Sequence, residues 1–143
     1  MGNIVIGVDS STQSTKAIAW DINGNVLAEG RCDIPLNNPS LEKFEQNVED
    51  WWKAFCVSTQ ELCEQIDIDE VDGIAISNQR ETLAKLDSEG KAVYPATVWM
   101  DKRSAKIGVP SLSPVCFDAF VLTLPIKLPG LNDLGNLDSS ISN

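Results

Sequence analysis

The chain has 143 residues, 43% of them hydrophobic and 22% charged, with a formal net charge of −10. That length fits one modest globular domain, and no run of 18 apolar residues exists to span a membrane. The acidic balance repels phosphate backbones, so neither nucleic acid nor an anionic lipid surface is expected as a main partner.

Asn3 to Val8 is a short apolar run ending at Asp9, the pattern of a buried strand. It carries no basic leader and no cleavage site, so no secretory signal is expected. Ser10 to Ser14 is polar and turn-like. Thr15 to Ile22 and Asn25 to Ile34 read as two further strands. Asn23-Gly24 between them is a two-residue hairpin signal, since both residue types tolerate positive φ. The three strands make an antiparallel meander.

Pro35 to Gln46 reads as a polar loop. Asn47 is placed to cap a helix, with Asp50 at its third position. Trp52, Phe55, Cys56, Thr59, Leu62, Cys63 and Ile66 follow at steps of three and four, which predicts one apolar helix face. Val71 to Ser77 is a second apolar run, expected beside the first. Thr82 to Asp87 alternates like a strand, Ser88-Glu89-Gly90 is a turn, and Ala96 to Trp99 is a last short strand. Asp101 is placed to cap a helix from Lys102.

Beyond about Lys106 the chain turns proline-rich and poor in charge, with no sustained period. The organised part is therefore read as residues 1–106, and residues 107–143 as a poorly ordered tail. The cysteines Cys32, Cys56, Cys63 and Cys116 form no C-x-x-C pair, and there is no histidine. They read as reduced, mostly buried thiols of a cytoplasmic protein rather than as zinc ligands.

Three motifs carry chemistry. DSSTQSTK, Asp9 to Lys16, joins two strands; such a turn presents N–H groups and hydroxyls to a phosphate, and an aspartate at the strand end suits a hydrated magnesium ion. Its bland counterpart is an ordinary Ser/Thr-rich hairpin turn. NQRET, Asn78 to Thr82, follows a strand end, where ligands of open α/β sheets gather. There Glu81 suits vicinal hydroxyls as an acceptor and Arg80 as a forked donor, against the plain alternative of a solvated charge pair. In WMDKRS, Trp99 to Ser104, the indole offers a plane for a carbon skeleton, although tryptophan at a strand end is more often core.

In this order and spacing, together with the Trp51-Trp52 pair heading the helix, the motifs resemble the FGGY carbohydrate kinases, which include glycerol kinase and xylulokinase. The resemblance covers about Asn3 to Lys106. It implies an α/β fold: the N-terminal portion of an actin-like, ribonuclease-H-like ATPase domain, with a mixed sheet and flanking helices. It implies ATP and Mg2+ as cofactors and a small sugar or polyol as substrate. Asp9 would match the magnesium-associated aspartate, with Ser11, Thr12, Gln13 and Lys16 along the ATP-phosphate turn. Arg80, Glu81, Trp99 and Asp101 would belong to the substrate site.

Two departures accompany the resemblance. Ser11 stands where the family commonly has glycine, and the chain's end departs from the family's continuation; separately, xylulokinases usually differ at Asn78 to Thr82, which leans the substrate toward polyols. The family's general-base aspartate and its adenosine-binding domain lie beyond the matching segment. No catalytic residue is therefore expected here, and the chain is read as a portion inactive alone. The alternatives are a non-catalytic binding fragment of the same origin and a ribonuclease-H-like nuclease, which would cluster Asp9, Asp21, Glu81 and Asp101 around two metals.

Overall fold

The computed structural model describes residues 2–103. Four strands form one sheet in the order β3-β2-β1-β6. They are β1 (Ile4–Ser10), β2 (Ser14–Asp21), β3 (Val26–Asp33) and β6 (Val71–Asn78). β1 runs antiparallel to β2, and β2 to β3, which is the expected meander. β6 lies parallel to β1, so the sheet is mixed and both strands run toward the same end.

Side chains alternate across this sheet with the period of two that a pleated strand imposes. Ile4, Ile6 and Val8 of β1, and Ala17 and Ala19 of β2, point to one face, where Ala28 and Leu62 complete the core. The opposite face carries Val5, Gly7, Ile18 and Trp20. A Cβ at Gly7 would sit 2.7 Å from the Trp20 ring, so glycine there lets the indole lie flat across β1.

The turn after β2 is one residue longer than its sequence signal. Gly24 N–H donates to the Asp21 carbonyl and Asp21 N–H to that of Asn25, leaving a three-residue loop. Only Gly24, at φ 84, takes the left-handed conformation; Asn23 does not. Asp21 fixes this geometry by accepting from the Asn23 and Asn25 backbone N–H groups, at 2.8 Å each. Those bonds favour the carboxylate and hold Asp21 below its ordinary range, with the Asn25 amide contributing most.

The helix α1 (Val48–Cys63) begins as expected, with the Asn47 side chain accepting from Glu49 N–H. Its buried face is rotated from the one its apolar spacing suggests. Ala54, Ser58, Thr59 and Leu62 are buried and Phe55, Cys63 and Ile66 pack against the core at its margin, whereas Trp52 is 54% exposed and stacks on the Phe55 ring. The reason lies across the interface. A Cβ on Gly30 would collide with the Ser58 carbonyl, so helix and β3 approach backbone to backbone and the contact stripe must be small. The acidic run after α1 forms a 3-10 turn, Ile68–Glu70, capped by Asp67.

Pro35 to Gln46 is not the loop its prolines suggested. It contains β4 (Asn37–Ser40) and β5 (Lys43–Gln46), which with β7 (Ala96–Thr97) form a second sheet in the order β4-β5-β7. Thr82 to Asp87, expected as a strand, forms only two isolated bridges, Leu83 with Thr97 and Leu86 with Ala92. Leu83 N–H donates to the Thr97 carbonyl and Asp87 N–H to the Lys91 carbonyl, so the segment bonds to two different stretches rather than running along one partner strand. The Ser88-Glu89-Gly90 turn is present, with Asp87 accepting from Glu89 and Lys91 N–H. The tail at 107–143 and most of the helix expected from Lys102 lie outside the described residues. Among those residues no helix is long and apolar enough to cross a membrane.

Candidate functional site

Because β1 and β6 are parallel, their last residues emerge side by side. Asp9 pairs with Ser77 and Ser10 with Asn78 in register. Chain leaving β1 enters the Ser/Thr turn, and chain leaving β6 enters NQRET. Gln79 N–H donates to the Ser10 carbonyl at 2.9 Å and holds the two exits together. Trp99, just past β7, closes the third side.

The cleft between them has a volume of about 340 Å³ and is lined by Asp9, Ser11, Thr12, Asn78, Gln79, Arg80, Glu81 and Trp99. Pooling of polar groups beyond parallel strand ends is the general location of ligand sites in open α/β sheets.

Each wall has a local cause. Ser11 N–H bonds the Ser14 carbonyl at 2.9 Å, tightening the turn, and the Ser11 hydroxyl donates to Asp9 Oδ2 at 2.6 Å. Asp9 is thereby oriented while remaining exposed. The Trp99 indole N–H donates to the Thr12 hydroxyl at 3.1 Å and leaves the ring 56% exposed above the cleft. Glu81 adopts φ 58, the only positive φ at a non-glycine position among the described residues. A side chain in that conformation costs roughly 1–2 kcal/mol. The strain sits where a ligand-facing carboxylate is expected, and strained backbone clusters at such places.

Not every residue of the expected site converges here. Gln13 is exposed; its carbonyl accepts from Ile34 N–H, and its side chain lines no part of the cleft. Lys16 faces the other side of the sheet, in a hollow of about 420 Å³ with Gly7, Ile18, Trp20 and Ile76, where it pairs with Glu29 at 2.9 Å. Asp9 lines both hollows and is the point at which they meet.

Asp101 lies apart from the cleft. It accepts from Phe44 N–H at 3.0 Å and from Arg103 N–H and Nε, and Arg103 also reaches Glu45 at 3.0 Å. The Arg103 guanidinium holds the Asp101 carboxyl down at about 2, against the opposing effect of burial. Asp101 is thus a knot between β5 and the end of the described chain.

The four carboxylates of the nuclease alternative are also not gathered. Asp21 pairs with Ile4 at one end of the β1–β2 ladder and Asp9 with Lys16 at the other. Five residue steps along β1 separate these positions by roughly 17 Å.

Sequence reasoning passed over Gln46, Asn78 and Gln79 as individual residues. Gln46 is fully buried between the turn and α1, and no local pattern marks a glutamine as internal. Gln79 Oε1 and Thr82 Oγ1 are buried beside the cleft and have no hydrogen-bond partner.

The sheet and cleft define an α/β domain with a polar cleft beyond the ends of two parallel strands. The N-terminal domain of the FGGY family of carbohydrate kinases matches residues 4–111, and the chain belongs to this family. Glycerol kinase 2 of Saccharolobus solfataricus is 34% identical over 109 residues, which are 74% of this chain and 22% of that protein. The xylulose kinase of Streptomyces rubiginosus is 38% identical over 108 residues, 75% of this chain and 22% of its own. Among solved structures, Plasmodium falciparum glycerol kinase with ADP superposes with a TM-score of 0.63 at 26% identity, covering 74% of this chain and 22% of that one. The fold is accordingly the N-terminal portion of the actin-like ATPase fold of these kinases. The chain spans about a fifth of the length of the curated relatives it matches.

Proposed function

We propose that the protein carrying this segment transfers the γ-phosphoryl group of MgATP to a hydroxyl of a small sugar or polyol, with a polyol such as glycerol favoured. The observation that supports this reading best is the meeting of Arg80, Glu81 and Trp99 with Asp9 and Thr12 on one cleft. Carboxylate and guanidinium recognise vicinal hydroxyls as acceptor and forked donor, and the exposed indole packs against the carbon skeleton.

In this reading the phosphates run from Ser11 and Thr12 at the cleft past Asp9 toward Lys16 in the adjoining hollow, with Gln13 contributing its place in the turn rather than its side chain. The exposed Asp9, steadied by Ser11, would hold a magnesium ion through its water shell, the mode a single carboxylate suits. The bound ion would neutralise phosphate charge. Phosphoryl transfer depends mainly on positioning and electrostatics, and this segment contributes both through one shared residue, Asp9. None of the described residues is assigned as the base. Asp101, tied to Arg103, contributes to the shape of the neighbouring strand rather than to hydroxyl binding. A cytoplasmic location and small-molecule partners, without nucleic acid, belong to the same proposal and rest on the acidic balance and the unpaired thiols Cys32, Cys56 and Cys63.

Titration of the chain with glycerol and xylulose, followed by tryptophan fluorescence, tests the cleft assignment. A saturable response that is weakened in Glu81→Gln is expected. No saturable response to either compound would overturn it.

A further inference from the structure

Gln46 ends β5, one residue before the cap of α1, and its exposure is 0%. Its Nε2 donates to the Thr12 carbonyl at 2.5 Å and, more weakly, to that of Pro35 at 3.4 Å. Its Oε1 accepts from Trp51 Nε1 at 3.1 Å and from Gln79 Nε2 at 2.9 Å.

The chemistry of the partners fixes the amide's direction. An indole N–H only donates and a backbone carbonyl only accepts, so oxygen must face Trp51 and nitrogen must face Thr12. With that settled, Gln79 has no choice but to offer its own nitrogen. Thr12 is then held twice, through its carbonyl by Gln46 and through its hydroxyl by Trp99.

We propose that Gln46 is the positioning residue of the cleft. It lines no part of the cavity, yet it ties the Ser/Thr turn to the segment after β6, and it steadies Trp99 through Thr12. It therefore sets the separation of the walls between which the ligand lies. The consequence for ligand affinity rests on the kinase reading of the cleft; the geometric consequence does not. A satisfied core glutamine with no such role would affect stability alone, because its loss costs a buried hydrogen-bonded group wherever that group lies.

The test uses the 143-residue chain with Gln46→Met, an apolar replacement of similar length. Indole N–H resonances report each tryptophan separately, and glycerol titration reports the cleft. The Trp51 and Trp99 signals should move while that of Trp20 stays in place, and the glycerol Kd should rise about tenfold, the scale of one neutral hydrogen bond. If Gln46→Met does not fold, Gln46→Asn keeps an amide but draws it back by one methylene, and the same shifts are expected. A folded variant with lowered Tm but an unchanged Trp99 signal overturns the proposal, as does an unchanged Kd. If the unaltered chain binds neither glycerol nor xylulose, the kinase reading fails and the Trp99 signal alone decides for or against Gln46.

Discussion

The Trp99 indole N–H and the Thr12 hydroxyl meet at 3.1 Å across 87 positions of sequence. That bond joins the expected substrate plane to the expected phosphate turn. Because one donor serves both, displacement of either half is felt by the other.

Glu81 separates binding from folding. Its exposed side chain fills no core space, so Glu81→Gln should alter stability by less than about 0.5 kcal/mol. A charged hydrogen bond to a hydroxyl is worth about 1.5–3 kcal/mol, or roughly 10- to 150-fold in affinity. Glu81→Gly goes further. It relieves the positive φ, so its urea midpoint should equal or exceed that of the unaltered chain even as polyol binding disappears. A clear loss of stability in Glu81→Gly would show that the left-handed conformation is not a strained one.

Lys16→Ala should act on the opposite hollow. The Lys16–Glu29 pair is largely exposed, and such pairs contribute at most about 1 kcal/mol. ADP titration should show weakened binding while glycerol affinity remains. Equal loss of both ligands would mean that the two hollows are not separate half-sites.

Gly30→Ala is the expected severe structural change. The new methyl group meets the Ser58 carbonyl, a backbone atom that cannot swing aside. Overpacking of this kind costs about 1–3 kcal/mol, and the upper half of that range is expected in urea unfolding. A neutral result would imply that α1 slides easily on β3.

Asp101 predicts an acid-sensitive end to β5. Its folded carboxyl titrates at about 2 rather than 3.8, so the unfolded chain takes up its proton first. The stabilisation is complete above about pH 4 and is lost as pH falls toward 2. Asp101→Asn should flatten the dependence of the unfolding midpoint on pH across that window, and an unchanged slope would argue against the Arg103 interaction as its source.

The meander was legible because alternation and turn residues act locally: Ile4, Ile6 and Val8 declare a buried face without help from elsewhere. The parallel partner β6 was legible as a second apolar run. What could not be read depends on contacts between distant residues. The apolar spacing marked Thr59 and Leu62 as buried and Phe55, Cys63 and Ile66 as packed on the core, but the close approach at Gly30, which turns Ala54 and Ser58 inward and leaves Trp52 outside, could not be read from it. In Pro35 to Gln46, β4 and β5 pair with each other as a short hairpin, and β7, some fifty positions on, adds to β5 alone, while the 82–87 segment makes only the Leu83–Thr97 and Leu86–Ala92 bridges. At the cleft, Arg80, Glu81 and Trp99 were visible as residue types in order, but the positive φ of Glu81 and the buried amide of Gln46 belong to the assembled molecule alone.

The placement of the cleft also implies an order of events. β1, β2 and β3 are joined by loops of a few residues, so their pairing closes little chain and can form quickly. The cleft cannot exist until Trp99 has returned to Thr12. As the chain leaves the ribosome, the hairpins can be in place while the ligand site is still missing its third wall. Pulse-labelled hydrogen exchange should therefore protect the amides of β2 before the Trp99 indole. Among the described residues, the cleft is thus assembled only after the hairpins it rests on.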